Sequence, residues 1–98
     1  MDNTEARELL SSHLARYRKR SYADLVELQR RPVGTVGAIA PSGARYSIEV
    51  EAFWENAPGG NLRVAGSIDD GGWRAFSPMC DDFIIAPDGS FVGESARG

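Results

Sequence analysis

Cys80, His13 and the neighbouring carboxylates Asp81 and Asp82 supply the residue types of a thiol nucleophile, its base and an orienting acid. Such a set works only when the thiol is activated and the base lies within hydrogen-bond reach. The sequence around Cys80 carries none of the local motifs that accompany catalytic cysteines. His13 falls on an apolar helical stripe, where a locally satisfied histidine is the expected state. No catalytic residue is assigned, and the chain is read as non-enzymatic.

Asp69, Asp70, Asp81, Asp82 and Asp88 could instead offer an oxygen-rich cation site. A calcium loop of the EF-hand kind needs alternating ligands ending in Glu, and Asp69-Asp70-Gly71-Gly72 has only turn chemistry. No metal site and no cofactor are expected. An alternative function is a small enzyme or ligand-binding protein, with a pocket at acidic C-terminal loops made by Trp73, Asp69, Asp70, Asp81 and Asp82. Gly59-Gly60 and Gly71-Gly72 neither open a helix after a parallel strand nor carry the Lys and Ser or Thr of a phosphate loop, and they read as hairpin loops. Glu49 and Glu51 have the form of a paired-carboxylate site, but same-face neighbours on a strand are common. Arg63 and Arg74 on adjoining strands would pair with them in a solvated charge ladder.

The charge balance narrows the partners. Fourteen acidic residues oppose eleven basic ones, a net charge of -3, which disfavours nucleic acid and anionic membranes. Residues 1–32 hold seven basic and five acidic side chains, and residues 33–98 hold four and nine. The local run Arg16 to Arg20, with Arg30 and Arg31, is accounted for by helix C-terminal charge and solvation. One cysteine and one histidine exclude an intramolecular disulfide and the common zinc patterns. The N-terminus lacks the basic start and apolar run of a secretory signal, and no apolar stretch approaches the roughly 20 residues of a membrane span. A cytoplasmic protein is the expectation.

These residues must be positioned by elements that the hydrophobic periods reveal. The 98 residues make one α+β domain, 1–98, large enough for a single core without metal or disulfide staples. Ala6, Leu9, Leu10, His13, Leu14 and Tyr17 follow the spacing of one helical stripe, with Asn3 or Thr4 as the expected N-cap. Ser21 offers a second cap, and Tyr22, Leu25, Val26 and Leu28 a second apolar face, closed by Pro32.

Beyond Pro32 the period becomes two. Tyr46, Ile48, Val50, Ala52 and Trp54 alternate with polar neighbours, and Leu62, Val64, Gly66 and Ile68 repeat the pattern. Val36–Ala40 precedes them through Pro41-Ser42-Gly43, and Trp73–Phe76 follows through Asp69-Asp70-Gly71-Gly72. Two-residue turns put Ile39 opposite Tyr46 and Ile68 opposite Trp73. Trp54 faces Leu62 across the loop Glu55 to Asn61. The result is a four-stranded antiparallel meander with two N-terminal helices on one face. Residues 81–92 read as a short hairpin about Pro87-Asp88-Gly89, with a helical turn capped by Asp81 or Asp82 as the competitor.

The segments YSIEVEAFWENAPGGNLRV and SIDDGGWRAFSPMCDDFIIAPDGSFVGE resemble a group of short, uncharacterised bacterial proteins with a helical N-terminus. The resemblance spans roughly the last half of the chain. It implies a stand-alone small protein and brings no activity or catalytic residue with it.

Parity leaves Val36, Glu49, Glu51, Phe53, Arg63, Ala65, Arg74 and Phe76 on the face away from the helices. Two phenylalanines among charges fit either a C-terminal tail folded over them or a surface that meets another protein. The expected function is a binding or regulatory role through this outer face and an edge strand. Phe53, Phe76, Arg63, Arg74, Glu49 and Glu51 form the interaction surface, and the partner is another protein or a second copy.

Overall fold

The computed structural model describes residues 2–32, 34–71 and 79–94. Two helices, α1 (Asn3–Arg18) and α2 (Tyr22–Arg30), precede four strands, β1 (Thr35–Ile39), β2 (Arg45–Trp54), β3 (Leu62–Asp69) and β4 (Met79–Ile85). The strands form one antiparallel sheet in the order β1-β2-β3-β4, and the fold is α+β as expected. Among the described residues no helix is long and apolar enough to cross a membrane.

Each helix starts where a side-chain oxygen can satisfy an unpaired backbone donor. Asp2 caps α1, one residue before the expected Asn3: it is extended, and its carboxylate accepts from the Glu5 N–H at 3.1 Å. Ser21 caps α2 as expected, its hydroxyl accepting from the Asp24 N–H at 3.1 Å. Residues about one helical turn apart share a face, so Ala6, Leu10, Leu14 and Tyr17 of α1 and Leu25 and Leu28 of α2 are buried together. Leu9 and His13 stand at the rim of that stripe, half-buried.

The sheet supplies the other half of the core. Tyr46, Ile48, Val50 and Ala52 of β2 and Leu62, Val64 and Ile68 of β3 are buried, and Phe83 and Ile85 of β4 join them. Helix α1 packs over β3 and β4, and α2 over β2 and β3. Gly66 lies beneath α1: a Cβ there would stand 3.0 Å from Leu10 Cδ1 and 3.0 Å from Leu14 Cδ2. The missing side chain lets the helix approach the strand. The β2–β3 register pairs Trp54 with Leu62 and Ile48 with Ile68, as the parity of the sequence requires.

Two expected registers are corrected. The first hairpin pairs Ala38 with Tyr46 and Ile39 with Arg45, not Ile39 with Tyr46. Its loop has three residues instead of two. The Ala40 N–H donates to the Ala44 carbonyl at 2.9 Å and the Gly43 N–H to the Ala40 carbonyl at 2.8 Å, with Gly43 at φ +89°. This is a type I turn followed by a left-handed residue, a conformation that glycine takes without steric cost. Ile39 therefore turns outward, 67% exposed, and Val36 moves from the expected outer face to the helix side, opposite Ile48.

The last pairing is corrected as well. Strand β3 pairs with Met79–Ile85, so Ile68 faces Met79 instead of Trp73 and Ala65 faces Asp82 instead of Phe76. Trp73, Arg74 and Phe76 lie outside the described residues. The eight residues of β3 find seven partners along β4, a longer match than the four of Trp73–Phe76 could provide. The expected terminal hairpin is present, with β4 as its first arm. The Ala86 N–H donates to the Ser90 carbonyl, the Gly89 N–H donates to the Ala86 carbonyl, and Ile85 bridges Phe91. Asp81 and Asp82 thus belong to a strand and cap no helical turn.

Candidate binding surface

The outer sheet face is read in rows across the registers. One row runs Phe53, Arg63, Ile84; the next Glu51, Ala65, Asp82; a third Thr35, Glu49, Ser67, Cys80. Phe53 is 44% exposed, an apolar ring cross-strand from a guanidinium near the end of β2, beyond the part of that strand paired with β1. Arg63 is held from both sides, by Glu55 and by Asp82, so its charge is compensated and its position fixed. Its hydrogen bonds to Glu55 and then Asp82 push its already high pKa further up. The expected ladder of Arg63 with Glu49 and Glu51 is corrected here, since Glu49 accepts from the Thr35 hydroxyl at 2.9 Å.

The opposite face carries a trough between α1 and β1. At one end a hollow of about 500 Å³ is lined by Asp2, Glu5, Glu8, Leu9, Ser12 and Pro41. A second of about 320 Å³ continues from Leu9 and Ser12 past His13, Arg16, Val36 and Ile48. The trough is acidic where β1 ends and basic where β1 begins. Glu5 fixes the acidic end: Oε1 accepts from the Ser42 hydroxyl and from the Tyr46 hydroxyl, each at 2.9 Å. Burial, then the Glu5 hydrogen bond, then the charges of Glu5, Asp2 and Asp70 raise the Tyr46 pKa.

His13 stands at the wall of the trough. Its Nε2 is buried with no hydrogen-bond partner among the described residues, and its ring lies 5.6 Å from that of Tyr17. Burial first, then Arg16 and Arg20, lower its pKa from the usual value, so the ring is neutral at physiological pH. Cys80, by contrast, is exposed on the outer face of β4. The sheet stands between this thiol and the imidazole, and the two form no nucleophile–base pair.

The alternative ligand loop is not brought together among its described members. Asp82 lies on the outer face against Arg63, whereas Asp81 shares the row of Gly66 and Val50 on the other side. Asp69 ends β3, its carboxylate accepting from the Gly71 N–H at 2.9 Å as a turn-forming aspartate does. No cluster of three or more His, Cys, Asp or Glu able to hold a metal occurs among the described residues. Trp73 is outside them, as are Arg74 and Phe76, expected from the sequence to join an interaction surface.

Sequence reasoning missed two contributors. Ile84 joins Phe53 and Arg63 only because β4 is the strand beside β3. Val36, 38% exposed, lines the trough only because β1 is shifted by one residue. The uncharged run Thr35-Val36-Gly37-Ala38-Ile39 was the available signal for an open edge. No protein-family model, curated protein or solved structure matches this chain.

Proposed function

We propose that this chain is a small non-enzymatic binding protein that engages another protein through the outer face of its sheet, with the β1 edge as a second contact. One observation carries the reading: Phe53 is displayed beside a fixed Arg63, with Ile84 completing the row. Aromatic and Arg side chains dominate the energetics of protein interfaces because they combine a large apolar area with directed hydrogen bonding. A guanidinium already held by Glu55 and Asp82 loses little freedom on binding. The thiol and imidazole lie on opposite sides of the sheet, which favours binding over thiol catalysis. A single exposed cysteine and an acidic balance suit a reducing cytoplasm.

Phe53→Asp places a charge at the end of the row without touching the core. The variant is expected to keep the wild-type circular dichroism spectrum and melting temperature while losing partners that wild-type bait captures from host lysate. Unfolding of Phe53→Asp would make the ring part of the core, and an unchanged set of captured proteins would remove the outer face from function.

A further inference from the structure

We infer that β1 pairs with β1 of a second copy of this chain, across a two-fold axis at Gly37, to make a continuous eight-stranded sheet. The inference rests on reading β1 as an interaction edge, and it names the occupant.

Strand β1 ends the sheet, and neither helix packs extensively above it. In an antiparallel ladder, hydrogen-bonded pairs alternate with non-bonded ones. The Ala40–Ala44 bond fixes the phase, so Val36, Ala38 and Ala40 direct their backbone groups to β2. Thr35, Gly37 and Ile39 therefore present N–H and C=O to the open side. No charge and no proline interrupts these five residues, the devices by which proteins ordinarily blunt an edge.

The edge is self-complementary. Setting Gly37 against its own copy places Thr35 opposite Ile39 of the second chain, and every outward-facing residue then meets another, each pair exchanging two hydrogen bonds. This centring alone pairs all five residues. On the helix side it sets exposed Val36 against Ala38 of the second copy. Among the described residues nothing within one chain calls for a glycine at Gly37: its φ is not positive, and a Cβ there would meet nothing within 4 Å. A strand glycine without an internal reason fits a place where another backbone approaches.

Charge selects the same occupant. Beyond the end of β1 stand Asp2, Glu5 and Glu8 beside Pro41, and at its start lies Arg16; Arg30 and Arg31, upstream, are engaged with Glu27. Antiparallel pairing lays the start of one β1 against the end of the other, so acid meets base at both ends. Parallel addition would set like against like. Two-fold symmetry makes both contacts identical, as an isologous dimer requires.

The test is sedimentation velocity on the full chain from micromolar to millimolar concentration, with amide exchange as a second readout. Wild type is expected to shift with concentration from one protomer mass to two, and the Gly37 amide to gain at least tenfold protection across the range. Gly37→Pro removes an outward donor while leaving the bonds to β2, and Ile39→Lys sets a charge on an exposed position. Both are expected to stay monomeric with wild-type spectra. Glu8→Arg and Arg16→Glu should each weaken the dimer at least tenfold, and their combination should restore it. Wild type remaining monomeric throughout overturns the inference, as does a dimer that survives both β1 variants. A dimer abolished by Phe53→Asp but not by Ile39→Lys assigns self-association to the outer face and also overturns it. Loss of lysate partners in Phe53→Asp with the dimer intact separates the two readings.

Discussion

The two edges of the sheet are built on opposite terms. The β4 edge is covered at its C-terminal end, and Cys80, Asp81 and Asp82 before it are exposed. Helix α1 packs on it, the terminal hairpin folds back so that Val92 donates to Ile84 at 2.8 Å, and Phe91 meets Phe83 edge-on with ring centres 5.6 Å apart. Arg18 lies over both rings, 4.8 and 5.0 Å from their centres, and pairs with Glu94 at 2.7 Å. Asp81 and Asp82 add charge. Among the described residues the β1 edge has none of this cover, and four of its five residues are exposed. One edge is closed by packing and like charge, and the other is left able to accept a strand.

The comparison breaks first at the core. Phe83→Ala removes a buried ring from under α1 and is expected to cost about 3–5 kcal/mol. Val36→Ala at the opposite edge should cost about 1 kcal/mol or less, because Val36 is 38% exposed and is not part of the buried core. Denaturant unfolding of the two variants measures the contrast, and equal losses would mean that β1 is as deeply integrated as β4. Next is Gly66→Val, expected to destabilise by about 1–3 kcal/mol as its side chain forces Leu10 and Leu14 away from β3. A melting curve superimposed on wild type would show that α1 does not rest on that glycine.

The smallest expected effect concerns His13. Its folded pKa is lowered, so the unfolded chain binds the proton more readily. The stability from the neutral ring is complete above the usual imidazole pKa of about 6.5 and is lost as the pH falls through it towards the folded value. The melting temperature should therefore fall slightly from pH 7.5 to 5.5, and His13→Gln should flatten that slope. A slope unchanged by the substitution would assign the pH response to other groups.

How much could be read from residues alone differs from strand to strand. The alternation from Tyr46 to Ile68 names one buried face, and no other pairing of Trp54 with Leu62 keeps those side chains together. The end of α1 and the Ser21 cap are equally local, since they depend on a helical stripe and one hydroxyl. β1 was misjudged because Pro41-Ser42-Gly43 permits a two- or a three-residue loop. The choice between them turns on hydrogen bonds at Ala40 that composition does not display. The outer face was accordingly legible at Phe53, Arg63, Glu49 and Glu51, but Ile84 was not foreseen there and Val36 was placed on the wrong side.

Periodicity by itself determined the fold class, the two helices, the two central strands and the side on which Phe53 stands, because side-chain direction within an element follows from backbone geometry. Only the tertiary structure decided which segment lies beside β3, which way Ile39 turns, that Arg63 is gripped by Glu55 and Asp82, and that one edge is closed and the other open. Those outcomes depend on contacts between residues far apart in the chain, where competing registers differ by small sums of packing and hydrogen bonding that no local pattern encodes.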